Sequence, residues 1–163
     1  VISHFQTEYG KGLIEGRLEI GSAMQTMLIK EVKKEVAQEH NSMVIFDAPP
    51  GTSCPVVETV SDTDYIILVT EPTPFGLHDL KITVELLNDL QKPFGVIVNK
   101  AGLGSREVYN FLEENNIELL GDIPFSKEYA SNYASGDILN NIPVEIETTY
   151  LKIAEKLITK TSL

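Results

Sequence analysis

Met43-Val44-Ile45-Phe46-Asp47-Ala48-Pro49-Pro50-Gly51-Thr52-Ser53 runs an unbroken apolar stretch into a polar turn stiffened by two prolines. An apolar run without alternation reads as a strand covered on both faces, as in parallel sheets. The signature returns at Tyr65-Ile66-Ile67-Leu68-Val69 and at Phe94-Gly95-Val96-Ile97-Val98, and Ile117 to Ile123 reads as a further parallel strand. Between these runs the period lengthens. Leu77, Leu80, Val84 and Leu87 mark one helix, and Val108, Phe111 and Leu112 another. A short helix follows Ser126, and a last one spans about Val144 to Thr159. This alternation predicts an α/β layered domain, a mostly parallel sheet flanked by helices.

Upstream, Ile2 to Thr7 and Leu13 to Ile20 read as extended on either side of Gly10-Lys11-Gly12, which predicts an N-terminal β-hairpin. Gly16 suggests a bulge in its second arm. From Ala23 to about Gln38 a helix is expected, with Met24, Leu28, Val32 and Val36 as its apolar stripe. With no linker or repeat in view, the 163 residues read as one domain, a hairpin over 1–21 and an α/β portion over 22–163.

A net charge of −11 argues against nucleic acid and anionic lipid, because counterion release needs clustered Lys and Arg. The 13 basic residues are dispersed, and Lys30, Lys33 and Lys34 read as the solvated face of a helix. No apolar run reaches the roughly 18 residues of a membrane span. The opening Val1-Ile2-Ser3-His4-Phe5 lacks the basic lead and apolar core of a signal peptide. A start at Val rather than Met suggests a processed or truncated chain. Cys54, the single cysteine, permits no internal disulfide and holds no metal alone, which points to a cytoplasmic setting.

In open parallel sheets ligands lie beyond the carboxyl ends of the strands. The residues that follow the four apolar runs are therefore the informative ones. They are Asp47 to Ser53, then Thr70-Glu71-Pro72-Thr73, Asn99-Lys100-Ala101-Gly102 and Pro124-Phe125-Ser126, expected together on one edge. A carboxylate at a strand end suits Mg²⁺, held directly or through water. Pro49 and Pro50 stiffen the backbone and remove two donors, and Gly51 then offers an N–H with no side chain in the way. Thr52 and Ser53 add hydroxyls. A rigid arm with one exposed amide suits a γ-phosphate sensor. A Pro-Pro-Gly turn from strand to helix, with Asp47 as the cap, fits the pattern equally well.

Asp47-Ala48-Pro49-Pro50-Gly51-Thr52 resembles the DxPPGT stretch, Walker B and switch II, of MinD/Mrp-type P-loop ATPases of the SIMIBI class. Ser61-Asp62-Thr63-Asp64-Tyr65 and Val69-Thr70-Glu71-Pro72-Thr73-Pro74-Phe75-Gly76-Leu77-His78-Asp79-Leu80 resemble the subfamily with an inserted ferredoxin-like module. Val98-Asn99-Lys100 resembles the base-recognition strand end, Ile123-Pro124-Phe125-Ser126 the base-flanking loop, and Tyr9-Gly10 to Gly21 the segment after the insert. The resemblance runs in family order from about Tyr9 to Leu157. It implies a partial P-loop NTPase-like fold, the C-terminal portion of a larger ATPase domain. The family's Walker A loop is not here: no G-x-x-x-x-G-K-[ST] occurs in the sequence, and the ferredoxin cysteines are absent too. In the family both stand N-terminal to the position of Val1.

Carried across by resemblance, Asp47 would bind Mg²⁺ through water, and Gly51, between Pro50 and Thr52, would contact the γ-phosphate. Asn99 would hydrogen-bond adenine, and Pro124 and Phe125 would flank the base. Lys100 reads as a phosphate ligand or a solvated strand-end lysine, and Glu71 as a ribose or partner contact or a loop cap. The parent would use ATP and Mg²⁺, dimerise around nucleotide, and couple hydrolysis to iron–sulfur clusters of the insert, with a redox or iron–sulfur partner protein. The chain alone would be inactive, with nucleotide affinity no better than roughly millimolar.

Two other functions compete. One is a non-enzymatic interaction module without nucleotide. The other is a phospho-acceptor domain using Asp47, Thr70 and Lys100, which lacks the paired acidic residues such domains need after their first strand. The family's P-loop strand lies mid-sheet, so its absence predicts a dimer or higher species, or a hairpin that fills the gap. Cys54 is expected to start a helix as a small apolar residue, His78 to lie at the surface, and Tyr129 and Tyr133 to pack. His4 and His40 have no ligand partners at useful spacing.

Overall fold

The computed structural model describes residues 1–6, 12–36, 43–137 and 141–161, the last without its side chain. Two compact units result, Val1–Thr63 and Asp64–Leu163. The Gly10-Lys11 part of the expected turn and His40 lie outside the described residues.

In the first unit β1 (Ile2–Gln6) pairs antiparallel with β2 (Gly12–Gly16), from Ile2 opposite Gly16 to Gln6 opposite Gly12. The open end is closed by a reciprocal pair, the Val1 ammonium donating to the Arg17 carbonyl and the Arg17 amide to the Val1 carbonyl, both at 2.8 Å. The register is regular, so Gly16 is not a bulge. Its missing side chain instead admits α1 (Gln25–Val36): a Cβ there would stand 2.8 Å from Val32 and 2.9 Å from Leu28. Of the expected stripe, Leu28, Val32 and Val36 are half-buried, while Met24 is exposed.

The α1 lysines divide. Lys30 and Lys34 are exposed, but the Lys33 side chain is only 10% exposed. Its ammonium donates to the Glu58 carbonyl and pairs with Asp62, at the end of α2 (Cys54–Val60), 5.7 Å from the Phe46 ring centre. A cation there satisfies a carbonyl that has no helical donor and complements the helix dipole. α2 begins at Cys54 as expected, but Cys54 is exposed.

Met43-Val44-Ile45-Phe46 is not a strand. The segment is irregular, with Met43, Val44 and Ile45 exposed at 57%, 39% and 83%. A strand exists only where a neighbour takes its N–H and C=O groups. Among the described residues the pairings are β1–β2 and those of one three-stranded sheet, and neither includes this run. Nor does the hairpin join that sheet.

The second unit is the layered α/β body. β3 (Ile66–Thr70), β4 (Phe94–Ala101) and β5 (Leu119–Pro124) run parallel in the order β3-β4-β5. α3 (Pro74–Asp89) and α4 (Glu107–Glu114) carry the crossovers, and α5 (Lys127–Ala134) and α6 (Val144–Thr161) follow. Strand side chains alternate between faces, so Val96 and Val98 join Leu80, Val84, Val108 and Leu112 in one core. Ile97 points the other way, to Leu120, Ile123, Ile146 and Ile153. α6 sits close on β5 because Gly121 leaves room: a Cβ there would lie 2.8 Å from Ile153. Tyr129 packs against this second core, whereas Tyr133 is 65% exposed. Among the described residues no helix is long and apolar enough to cross a membrane.

Candidate functional site

The carboxyl ends of β3, β4 and β5 are tied together by backbone. The Ser105 amide donates to the Pro72 carbonyl at 3.2 Å, and the Phe125 amide to the Ala101 carbonyl at 3.2 Å. The loop after β4 thus rests on the loop after β3, and the loop after β5 is pinned to the end of β4. Gly104 makes the first contact possible, since a Cβ there would fall 1.5 Å from the Pro72 oxygen. Thr73 caps α3 by accepting from the Gly76 amide at 3.0 Å, and Pro74 supplies the first turn. Buried Thr70 donates from its hydroxyl to the Gly76 carbonyl at 3.0 Å.

Asn99 and Lys100 stand where β4 departs from regular pairing. Asn99 pairs with Ile123 and Ala101 with Pro124, so Lys100 is the extra residue of a bulge. It has φ of 54°, the left-handed region that few non-glycine residues enter. The Asn99 side-chain oxygen accepts the Lys100 amide at 2.9 Å, which leaves its NH₂ donors open among the described residues. The Lys100 ammonium pairs with Glu71 at 2.6 Å across the β3 and β4 loops. The two side chains are 46% and 40% exposed, so the pair contributes at most about 1 kcal/mol. Phe125 is 40% exposed and Pro124 half-buried beside this rim. Ser126 caps α5, its hydroxyl accepting from the Tyr129 amide at 3.1 Å. Asn99, Lys100, Pro124 and Phe125 therefore share one sheet edge.

Asp47, Pro50, Gly51 and Thr52 belong to the first unit. Asp47 is exposed, without a hydrogen-bond partner among the described residues. It does not cap α2, whose cap position is Ser53. Gly51 has φ of 91°, and nothing lies within 4 Å of the position a Cβ would take. A free carboxylate and a glycine amide open to close approach fit water-bound Mg²⁺ and a phosphate oxygen. Among the described residues no group of three or more His, Cys, Asp or Glu could hold a metal by itself.

His78 is exposed, and His4 lies 3.6 Å from Glu35. A cavity of about 340 Å³, lined by Asn88, Lys92, Phe94, Asn115 and Glu118, opens at the amino ends of β4 and β5, opposite the rim. Sequence reading missed the structural part of Gly104. A glycine between Leu103 and Ser105 looks like any loop glycine until its neighbour across the rim is known.

Comparison with known proteins agrees with the folded pattern. The chain is 28% identical to the uncharacterized protein MJ0579 of Methanocaldococcus jannaschii over 82% of this chain and 46% of that one. It is 29% identical to the uncharacterized ATP-binding protein MJ0685 of the same organism, over 95% and 64%. It spans about half to two-thirds of the length of the curated relatives it matches. Among solved structures, the MinD cell division protein of Aquifex aeolicus superposes with a TM-score of 0.72 at 17% identity, covering 96% of this chain and 69% of that one. A chain of the MinC:MinD cell division protein complex of the same organism gives 0.73 at 18% identity, covering 96% and 66%. These likenesses show a MinD-like fold. The profile of the ParA family, described as NUBPL iron-transfer P-loop NTPase, matches residues 18–158. On that match over most of its length, the chain belongs to the NUBPL iron-transfer P-loop NTPase family, within the MinD/Mrp-type group its switch-like motif resembles.

Proposed function

We propose that these residues carry the switch loop and the base-contacting loops of a nucleotide-binding ATPase, and that its phosphate loop lies outside this sequence. The observation that supports this most is the rim beyond β3–β5, where the open Asn99 amide and exposed Phe125 share an edge. No phosphate-cradling G-x-x-x-x-G-K-[ST] accompanies it in the 163 residues.

In this reading the Asn99 NH₂ donates to the adenine edge. Pro124 and Phe125 cover the base, and Lys100 closes the rim through Glu71. Gly51 donates its amide to the terminal phosphate, held at the right pitch by Pro50 and Thr52. Asp47 holds the water shell of Mg²⁺. The metal, when bound, would neutralise charge on the phosphates. Two further features support a missing strand: among the described residues β3 pairs on one edge only, and residues 43–46 are apolar and in no ladder.

The parent protein, on this reading, is a cytoplasmic ATPase that dimerises around nucleotide. Coupling to an iron–sulfur module and a redox partner protein is part of this proposal through the resemblance of Ser61 to Tyr65 and Val69 to Leu80 to the subfamily with the inserted module. The chain by itself turns nothing over.

Calorimetric titration of this chain with Mg·ATP is the first test. No saturable heat below roughly 1 mM is expected, and saturable binding below that would place a phosphate cradle within these residues and overturn the proposal. In a longer protein containing these residues, Asn99→Ala should weaken ATP binding and Asp47→Ala should abolish Mg²⁺-dependent turnover. Unchanged affinity or turnover would remove the corresponding assignment.

A further inference from the structure

Lys33 joins the two ends of the candidate switch loop. Residues 47–53 run from Phe46 into α2. The ring centre of Phe46, the residue just before Asp47, lies 5.7 Å from the Lys33 ammonium. Beyond the loop the same ammonium donates to the Glu58 carbonyl and pairs with Asp62, with the Ser61 hydroxyl 3.5 Å away. One cation therefore touches the residue that leads into the loop and the end of the helix that follows it. The Lys33 side chain is 10% exposed, whereas Lys30, at 56%, makes only a 3.6 Å pair with the Glu58 carboxylate.

α2 needs such a hold from outside. At seven residues it is far shorter than a helix that stands alone. Ser53 at its start makes no side-chain cap bond. Val56, Thr59 and Val60 bury one face, but burial is non-directional. A hydrogen bond and an ion pair at the last turn have direction and set where the helix stands along its axis. The loop supplies no anchor of its own: Asp47 has no hydrogen-bond partner among the described residues, and nothing lies within 4 Å of a Cβ position on Gly51. α1 can serve as the fixed base because Leu28 and Val32 are seated where Gly16 of β2 leaves room, and Lys33 follows Val32 directly.

We propose that Lys33 is the positioning residue of the switch loop: from α1 it fixes both ends of residues 47–53, and so sets where the Asp47 carboxylate and the Gly51 amide stand. This role rests on the nucleotide-binding function proposed above, in which those two groups meet Mg²⁺ and the terminal phosphate. Lys33 itself touches neither ligand. Its loss displaces the loop and leaves Asn99, Pro124 and Phe125 of the second unit as they are, so turnover falls while nucleotide binding holds. A misplacement of about 1 Å can cost about a hundredfold in rate, and a loss of about tenfold or more is expected here.

The test pairs Lys33→Met, which keeps the stem and removes the charge, with Lys33→Arg, which restores the charge. In this chain the heteronuclear NOEs of the Ala48, Gly51, Thr52 and Ser53 amides should fall in Lys33→Met and recover in Lys33→Arg, while those of β4 stay unchanged. Asp62→Asn, at a carboxylate 69% exposed, should lower the same NOEs less and serves if Lys33→Met does not fold. Lys30→Met should leave them alone. In a longer protein containing these residues, Lys33→Met should lower Mg·ATP turnover about tenfold or more, with KM for ATP within about threefold, and Lys33→Arg should restore it. Loop NOEs unchanged in Lys33→Met and Asp62→Asn, or turnover unchanged in Lys33→Met, would overturn the proposal. A wild-type longer protein that turns over no ATP would instead remove the function proposed above and this role within it, and the NOEs would still show whether Lys33 holds the loop.

Discussion

Gly104→Ala should be the costliest single-methyl change on the candidate rim. The added Cβ would sit 1.5 Å from the Pro72 oxygen and 2.5 Å from its carbonyl carbon. Real Cβ contacts essentially never fall below 3.0 Å, so the loops after β3 and β4 must part by 1.5 Å or more. Pro72 is fully buried and cannot swing aside. The Ser105 to Pro72 hydrogen bond, now 3.2 Å, is lost in the process. Overpacking costs about 1–3 kcal/mol and the bond about 1 more, so a loss of about 2–4 kcal/mol is expected. Gly102→Ala is the control, because φ there is 92° but nothing lies within 4 Å of the added carbon. It should cost only the left-handed strain, about 1 kcal/mol. Urea unfolding followed by tyrosine fluorescence suits the comparison, since Tyr65, Tyr109, Tyr129, Tyr133 and Tyr150 lie in the second unit and only Tyr9 outside it. With a slope of about 1–3 kcal/mol/M, Gly104→Ala should lower the midpoint by roughly 1–2 M. A midpoint unchanged for Gly104→Ala, or lowered more by Gly102→Ala, would refute the contact argument.

Leu87→Ala should destabilise by about 2–5 kcal/mol in the same assay, because Leu87 is 1% exposed and its loss leaves a cavity. Lys33→Ala should cost about 1–2 kcal/mol in thermal unfolding of the first unit, by removing one donor from the Glu58 carbonyl, which keeps the Ser61 hydroxyl, and the partner of Asp62. Lys100→Gln, which breaks an exposed pair with Glu71, should cost less than about 1 kcal/mol. Burial, then the Glu118 carboxylate beside it, pushes Tyr65 from 10.0 to about 12. Burial, with a hydrogen bond to Tyr129, pushes Tyr150 to about 12. Their stabilising effect is complete below pH 10 and is lost as the pH rises to about 12, where the folded protein must finally release these protons. Spectrophotometric titration should show a tyrosine fraction ionising together with alkaline unfolding; all tyrosines ionising near pH 10 in the folded chain would count against it.

In the second unit the elements were legible because each buries one face or two. Leu80, Val84 and Leu87 face the core of α3 at helical period. Val96, Ile97 and Val98 are buried on alternate faces of β4. In the first unit the same kind of apolar run misled at Met43 to Phe46, since apolar composition records a need for burial and not the presence of a pairing strand. The candidate residues were legible as types at strand ends. The bulge at Lys100, its pairing with Glu71, the contact of Gly104 with Pro72 and the seating of Lys33 were not, because each depends on a neighbour distant in sequence.

By itself, then, the amino-acid order determined the α/β class, the helices and strands of the second unit, and which residue types stand at the strand ends. Periodicity and capping are local, and local chemistry is written in neighbouring letters. Tertiary structure alone decided which strands pair, which lysines are seated, and which glycines two backbones need in order to touch. Those outcomes turn on hydrogen-bond partners and ångström-scale contacts between segments that fold together.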